Sequence, residues 1–254
     1  MALDGCGSAA RSQLGAAASL LALRAALEVW EDEIASVLDR GGRGLAAIGW
    51  QGLACRLYLC GAEEQRKLAE WYETEPSEFE HTLTLCLAGK EHFGWLAVGD
   101  CPLVIRKNGI AGLVPQPRPT AFANQTDFVS MSPRQSSGLQ GGVIPASGIE
   151  GVFAMSDGAA SRLMNLRDHV PALAVSEIMD LMGSGEWYAD SLSYMLENPS
   201  WNLVTRDDRC VALFTRNTKP SKRPASPKTS RNMDSARPSA DSIGKYLPWV
   251  PCKR

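Results

Sequence analysis

Gly151-Val152-Phe153-Ala154-Met155-Ser156-Asp157-Gly158 is the stretch on which the fold turns. A short apolar run, Gly151–Met155, has the length and composition of a strand, and the chain leaves it through an Asp-Gly turn. A carboxylate at a strand end is held in place by the strand, while the adjacent glycine lets backbone and solvent come close. Taken singly, an Asp-Gly pair is an ordinary turn signal. Here the arrangement recurs along the chain. Asp4-Gly5 precedes an Ala-rich segment, Gly99-Asp100 follows the apolar run Phe93–Val98, and Asp207-Asp208 precedes Val211–Thr215. Carboxylates of this kind meeting at one edge of a β-structure make an oxygen-only, negatively charged site. Such a site suits Mg²⁺ or Mn²⁺ and excludes thiolate-loving metals. Two ions held by a bridging carboxylate can activate a water and neutralise phosphate charge.

The segments between these motifs alternate helix and strand. Residues 11–38 carry Leu14, Ala17, Leu21 and Ala25 at helical spacing, and Gly41-Gly42 ends that segment. A second helix is expected from Trp50 to Tyr72, interrupted at Gly61. Thr82–Ala88 and Phe93–Val98 form a hairpin, and Asn108-Gly109 joins Leu103–Arg106 to Ile110–Val114 in another. Residues 115–147, rich in Pro, Ser, Gly and Gln, read mainly as loop. Ala159–Asn165, 171–183 and 186–197 read as helices, and Val211–Thr215 as the last strand.

The chain has 254 residues, 44% hydrophobic and 21% charged, enough for a sizeable core. Its formal charge of −2 is unevenly divided. From Asn217 to Arg254 there are nine Lys or Arg against two Asp, so residues 1–216 are acidic and the rest is a basic, Pro- and Ser-rich tail expected to be disordered. The organisation is therefore a domain over 1–216 and a tail over 217–254, which ends in the apolar Tyr246–Pro251. An acidic body argues against nucleic acid as a partner. No apolar run is long enough for a membrane span, and Leu14–Leu23 lacks the basic flank of a signal peptide. The seven cysteines form no CxxC pair and mostly sit in apolar strings, which indicates buried free thiols and a cytoplasmic setting. His81, His92 and His169 are not spaced as a ligand set.

The order of the acidic motifs resembles the metal-dependent protein phosphatases, the PPM or protein phosphatase 2C family, in their compact bacterial form. The matching stretches are Asp4-Gly5-Cys6-Gly7-Ser8-Ala9 with Gly15-Ala16, Ala97-Val98-Gly99-Asp100, Phe122-Ala123-Asn124-Gln125-Thr126, Met155-Ser156-Asp157-Gly158 and Arg206-Asp207-Asp208-Arg209. The resemblance implies an α+β fold in which two mostly antiparallel sheets form a β-sandwich flanked by helices, with a metal site at one end. It implies that Asp4 bridges two Mg²⁺ or Mn²⁺ ions, that the Gly5 carbonyl binds one of them, and that Asp157 and Asp207 are ligands. Asp100 becomes a third-metal or outer residue, and Arg11 a candidate phosphate contact. The implied reaction is hydrolysis of phosphoserine or phosphothreonine in a protein substrate by metal-activated water, without a phosphoenzyme. The alternative is a catalytically impaired phosphatase-like domain that acts as a binding or regulatory module.

The sequence departs from the family pattern in two places. The family's domain begins upstream of the Asp-Gly motif, with strands that supply a basic phosphate-binding residue and a further acidic ligand. This chain begins three residues before Asp4, so it is expected to be N-terminally truncated or to have its true start upstream. Ser161 also stands where many members carry an aspartate that helps to hold a third ion.

Overall fold

The structure is a computed structural model that describes residues 1–114, 126–130, 138–165, 167–205 and 207–216. The tail expected over 217–254 and the motif residues Phe122–Gln125 and Arg206 lie outside the described residues. In chain order the elements are β1 (Ala2–Gly5), α1 (Ser12–Val29), α2 (Glu31–Leu38), α3 (Arg43–Tyr72), a 3-10 turn (Pro76–Phe79), β2 (His81–Ala88), β3 (His92–Val98), β4 (Leu103–Lys107), β5 (Ile110–Leu113), β6 (Gln140–Pro145) and β7 (Ile149–Met155). These are followed by α4 (Asp157–Leu163), a small ribbon of β8 (Met164–Asn165) and β9 (Val170–Pro171), α5 (Leu173–Ser184), α6 (Ala189–Leu196), a second 3-10 turn (Pro199–Leu203) and β10 (Val211–Thr215). Two four-stranded sheets result, in the orders β1-β2-β3-β6 and β10-β7-β4-β5, with every pairing antiparallel.

Strand alternation sorts the apolar side chains into layers. Phe93, Trp95 and Ala97 of β3 face Leu103 and Ile105 of β4 and Val152 and Ala154 of β7, making the core between the sheets. The alternate residues, Leu96 and Val98 with Leu83 and Leu85 of β2, pack under Leu23, Trp50, Leu53 and Leu57 of α1 and α3. On the far side Val104, Phe153 and Met155 meet Val175, Ile178 and Met179 of α5 and Trp201. The sandwich is thus covered by helices on both faces, the α+β arrangement that the sequence led us to expect.

Three local expectations change. The helix expected over 11–38 breaks at Trp30, whose backbone leaves the helical region (φ −102°, ψ 16°). The Arg56 guanidinium stacks on its ring at 4.1 Å, and Glu31, Asp32 and Glu33 begin α2 where carboxylates favour a helix N-terminus. Gly61 does not interrupt α3. It lets α1 approach, so that Ser19 Oγ donates to the Gly61 carbonyl at 3.0 Å. Within the expected loop 115–147, Gln140–Pro145 is the strand β6. Its Gly141 and Gly142 pair with Leu96 and Trp95, and a Cβ at Gly141 would lie 2.9 Å from the Trp95 carbonyl. Crowding against β3, not a turn, is what these glycines serve.

His81 is the first residue of β2 and is fully buried. Its Nδ1 lies 3.1 Å from both the Gln65 amide of α3 and the Phe79 carbonyl. Burial lowers its pKa to about 4, against a smaller opposing pull from the Phe79 carbonyl. The folded chain therefore refuses a proton that the unfolded chain accepts near pH 6.5. Stability from this group is complete above about pH 6.5 and is lost as the pH falls towards about 4, by up to about 3 kcal/mol. The fall in melting temperature between pH 6.5 and 4 is expected to be shallower in His81→Gln than in the unaltered chain. Equal slopes in calorimetry would assign the acid sensitivity elsewhere.

Candidate active site

The four acidic motifs arrive at the same end of the sandwich because of strand direction and register. β1 ends at Gly5 opposite His81, where β2 begins, with Asp4 opposite Thr82. Val98, the last residue of β3, pairs with Leu83, which brings Gly99 and Asp100 alongside Thr82. In the other sheet Met155 ends β7 opposite Val211, where β10 begins. Asp157 thus follows that edge and Asp207-Asp208 precede it. Gly99 takes a left-handed backbone (φ +98°), and a Cβ there would lie 2.6 Å from the Thr82 side chain. Only glycine makes that corner without strain.

A cleft of about 320 Å³ lies at this end, lined by Asp4, Gly5, Cys6, Gly7, Thr82, Asp100, Thr126, Phe128, Asp157, Asp207 and Asp208. Five of these are aspartates and none is basic. Asp4 is buried, whereas Asp157, Asp207 and Asp100 are exposed to the cleft's solvent. Beneath them sits the buried Cys101, its Sγ 2.9 Å from Thr82 Oγ1. Burial pushes this thiol's pKa well up, and the charges of Asp4, Asp100 and Asp157 add to the shift against the opposing Thr82 hydrogen bond. One sulfur thus feels three carboxylates that belong to three distant stretches of chain.

Local hydrogen bonds hold the acids in place. Asp157 Oδ1 accepts from the Gly158 amide at 2.6 Å. Asp207 Oδ2 accepts from Thr205 Oγ1 at 3.0 Å and Asp100 Oδ2 from Thr126 Oγ1 at 3.0 Å. Gln13 Nε2 of α1 donates to Asp208 Oδ2 at 2.7 Å. Ser156 knits the two strand ends together. Its Oγ accepts from the Cys210 amide at 3.1 Å, donates to the Asp208 carbonyl at 3.1 Å, and caps α4 by accepting from Ala159 N at 3.4 Å.

Asp4, Gly5, Asp100, Asp157 and Asp207, singled out from the sequence, all line the cleft. Arg11 does not. It pairs with Glu78 and stacks over the Tyr72 ring at 5.3 Å. Ser161 donates to the Gly158 carbonyl at 2.7 Å and also lies outside the lining. Asp208 and Phe128 belong to the cleft although the sequence reading gave them no site role, and Thr126, read as part of the family's loop, lines it too. The Asp207-Asp208 doublet was the available signal for Asp208; Phe128 carried none.

The charged side chains of the lining are all carboxylates, the oxygen donors that a hard divalent ion requires. Among the described residues no three His, Cys, Asp or Glu side chains stand close enough to enclose an ion on their own. An open cleft with dispersed carboxylates fits Mg²⁺ nonetheless, because that ion keeps several waters and takes only one or two protein carboxylates. Five aspartates in one lining also give the cleft a field that favours cations.

The chain belongs to the protein phosphatase 2C family, whose model matches residues 1–197. In structure it is similar to PppA, a key regulatory component of the T6SS in Pseudomonas aeruginosa, at 14% identity and a TM-score of 0.50, over 84% of each chain. It is similar also to a bacterial serine phosphatase, at 11% identity and a TM-score of 0.51, over 83% of each chain. No curated protein matches the chain. Among the described residues no helix is long and apolar enough to cross a membrane.

Proposed function

We propose that the chain is a Mg²⁺- or Mn²⁺-dependent serine/threonine protein phosphatase acting on phosphorylated protein substrates at the acidic cleft. The observation that carries this reading is the lining of five aspartates, built by four separate motifs at one end of a protein phosphatase 2C fold. On this reading Asp4, the Gly5 carbonyl, Asp157 and Asp207 would hold two ions, with Asp208 and Asp100 lining the cleft beside them. Bound there, the ions supply charge neutralisation and a water acidified enough to attack phosphorus.

The chain's own groups have definable tasks. The rigid ends of β1 and β7 fix Asp4 and Asp157 relative to each other, which spares reorganisation as phosphate charge shifts. Thr126 orients Asp100, and Gln13 orients Asp208. Phe128 gives the cleft an apolar wall beside the phosphoester. Among the described residues no side-chain cation lines the cleft, so ions held by its carboxylates would offset the charge of a phosphate there. The six described cysteines are all free, which supports a reducing, cytoplasmic setting.

Hydrolysis of a phosphoserine or phosphothreonine peptide, followed by phosphate release, tests the reading. Turnover is expected to appear with millimolar Mn²⁺ or Mg²⁺ and to vanish in excess chelator. Turnover indifferent to chelator would overturn the metal-dependent reading. Metal binding by calorimetry without turnover would favour the impaired, partner-binding alternative.

A further inference from the structure

Two arginines gather on one aromatic ring beside the acidic cleft. Arg162 of α4 and Arg209, which precedes β10, lie over Trp201 with their guanidinium carbons 5.0 and 5.9 Å from its ring centroid. Both side chains are half-buried. Arg162 donates to Ser200 Oγ at 3.0 Å, and Arg209 Nη1 is enclosed with no acceptor. Among the described residues neither arginine forms an ion pair. Arg106 of β4, also withdrawn from solvent, is treated differently: it meets Glu150 at 2.9 Å and Asp180 at 2.7 Å. A cation taken partly out of water is normally given a carboxylate, so two on one ring without any leave positive charge and an enclosed donor unanswered. The pair stands next to the cleft, not in it. Asp208 lines the cleft and Cys210 reaches the Leu3 carbonyl, while Arg209 between them turns to Trp201. Likewise α4 presents Asp157 to the cleft and Arg162 to the ring.

Resting on the phosphatase reading of the cleft, we propose that Arg162 and Arg209 form a subsite for carboxylates of acidic residues flanking the phosphoserine or phosphothreonine of a protein substrate. A guanidinium takes a carboxylate through parallel hydrogen bonds. Here the ring braces both guanidiniums and burial has already stripped part of their water, so little further ordering or desolvation is needed when a carboxylate arrives. The aspartates of the cleft repel an acidic peptide, and the arginine pair supplies the opposite charge immediately to the side. Asp208 and Arg209 are neighbours in the chain, and an extended peptide advances about 3.3 Å per residue. The acids recognised are therefore those a few positions from the phosphorylated residue.

Two phosphothreonine peptides test this on the full chain with Mn²⁺, one carrying glutamates within about five residues on either side and the other alanines there. The unaltered chain is expected to show a kcat/KM about tenfold higher for the glutamate peptide. Arg162→Gln with Arg209→Gln should bring that ratio close to one. Arg162→Lys with Arg209→Lys keeps the charge but not the planar stack, and should retain most of the preference. Arg43→Gln removes an exposed arginine from the α3 layer, on the opposite face of the sandwich from Trp201, and should leave the ratio unchanged. Fluorescence anisotropy of the unphosphorylated glutamate peptide, with Mg²⁺ present, reads the subsite without turnover. Its binding should weaken about tenfold in the double glutamine variant. If neither phosphopeptide is hydrolysed while this binding still depends on the two arginines, the phosphatase reading fails and the carboxylate subsite stands. Equal kcat/KM for the two peptides in the unaltered chain overturns the proposal. So does a double glutamine variant that keeps the preference, or a double lysine variant that loses it.

Discussion

Asp157→Asn is expected to cut Mn²⁺-dependent phosphate release by about a thousandfold or more, with little change in stability. The substitution keeps shape and removes charge. An asparagine carbonyl can still accept the Gly158 amide that Asp157 Oδ1 accepts at 2.6 Å, so the turn into α4 survives. Two electrostatic terms oppose each other. The helix N-terminus loses a favourable carboxylate, typically about 0.3–1 kcal/mol, while the cleft loses one of its five negative charges. For an exposed group these are of similar size and opposite sign, so the metal-free melting temperature should move by no more than a few degrees. Asp190 provides the control. It also sits in the first turn of a helix, α6, but outside the cleft. Asp190→Asn makes the same chemical change and should leave turnover alone. Asp157→Asn activity within tenfold of the unaltered chain would mean that the carboxylate does not serve the reaction.

What the sequence made legible was what repeats or alternates. The two hairpins, the last strand and the acidic edge could be read because strand periodicity and Asp-Gly turns are local signals. The meeting of Asp4 with Asp157 and Asp207 at one end was not local. It depended on the family resemblance, and in the fold it follows from β1 and β7 ending in the same direction. The failures share a cause. Gly141 and Gly142 of β6 fell in a segment read as loop for its Pro, Ser, Gly and Gln content, and Gly61 in α3 was read as an interruption. Their real role is to admit a neighbour, Trp95 in one case and Ser19 in the other, and a neighbour distant in sequence leaves no mark on the local pattern. Phe128 escaped for a related reason. Its place on the cleft is set by Val129, whose amide donates to the His81 carbonyl, and by Ser130, clasped by the Tyr58 hydroxyl 72 residues away.

Gly158→Ala turns that lesson into a measurement. In most helices Ala is better than Gly by about 1 kcal/mol, and at Gly52, where nothing crowds the site, Gly52→Ala should raise stability by about that amount. At Gly158 the expected sign is the reverse. A Cβ there would stand 2.3 Å from the Asp208 carbonyl oxygen and 3.2 Å from Asp207 Cβ. The obstacle is backbone, held by Ser156 Oγ through both the Asp208 carbonyl and the Cys210 amide, so it cannot swing aside as a side chain would. Relief requires α4 and the 207–208 segment to part by about 1 Å, which costs about 1–3 kcal/mol as overpacking usually does. The same movement separates Asp157 from Asp207. A displacement of that size lowers turnover by about a hundredfold, and on the proposed mechanism part of the loss returns at higher Mn²⁺, because the ligands are intact and only their spacing is wrong. Asp157→Asn, which lacks the ligand, should show no such recovery. A Gly158→Ala chain that melts at or above the unaltered temperature would show that α4 does not pack on the Asp208 backbone as described, and the geometry of the cleft would have to be rebuilt from that contact outward.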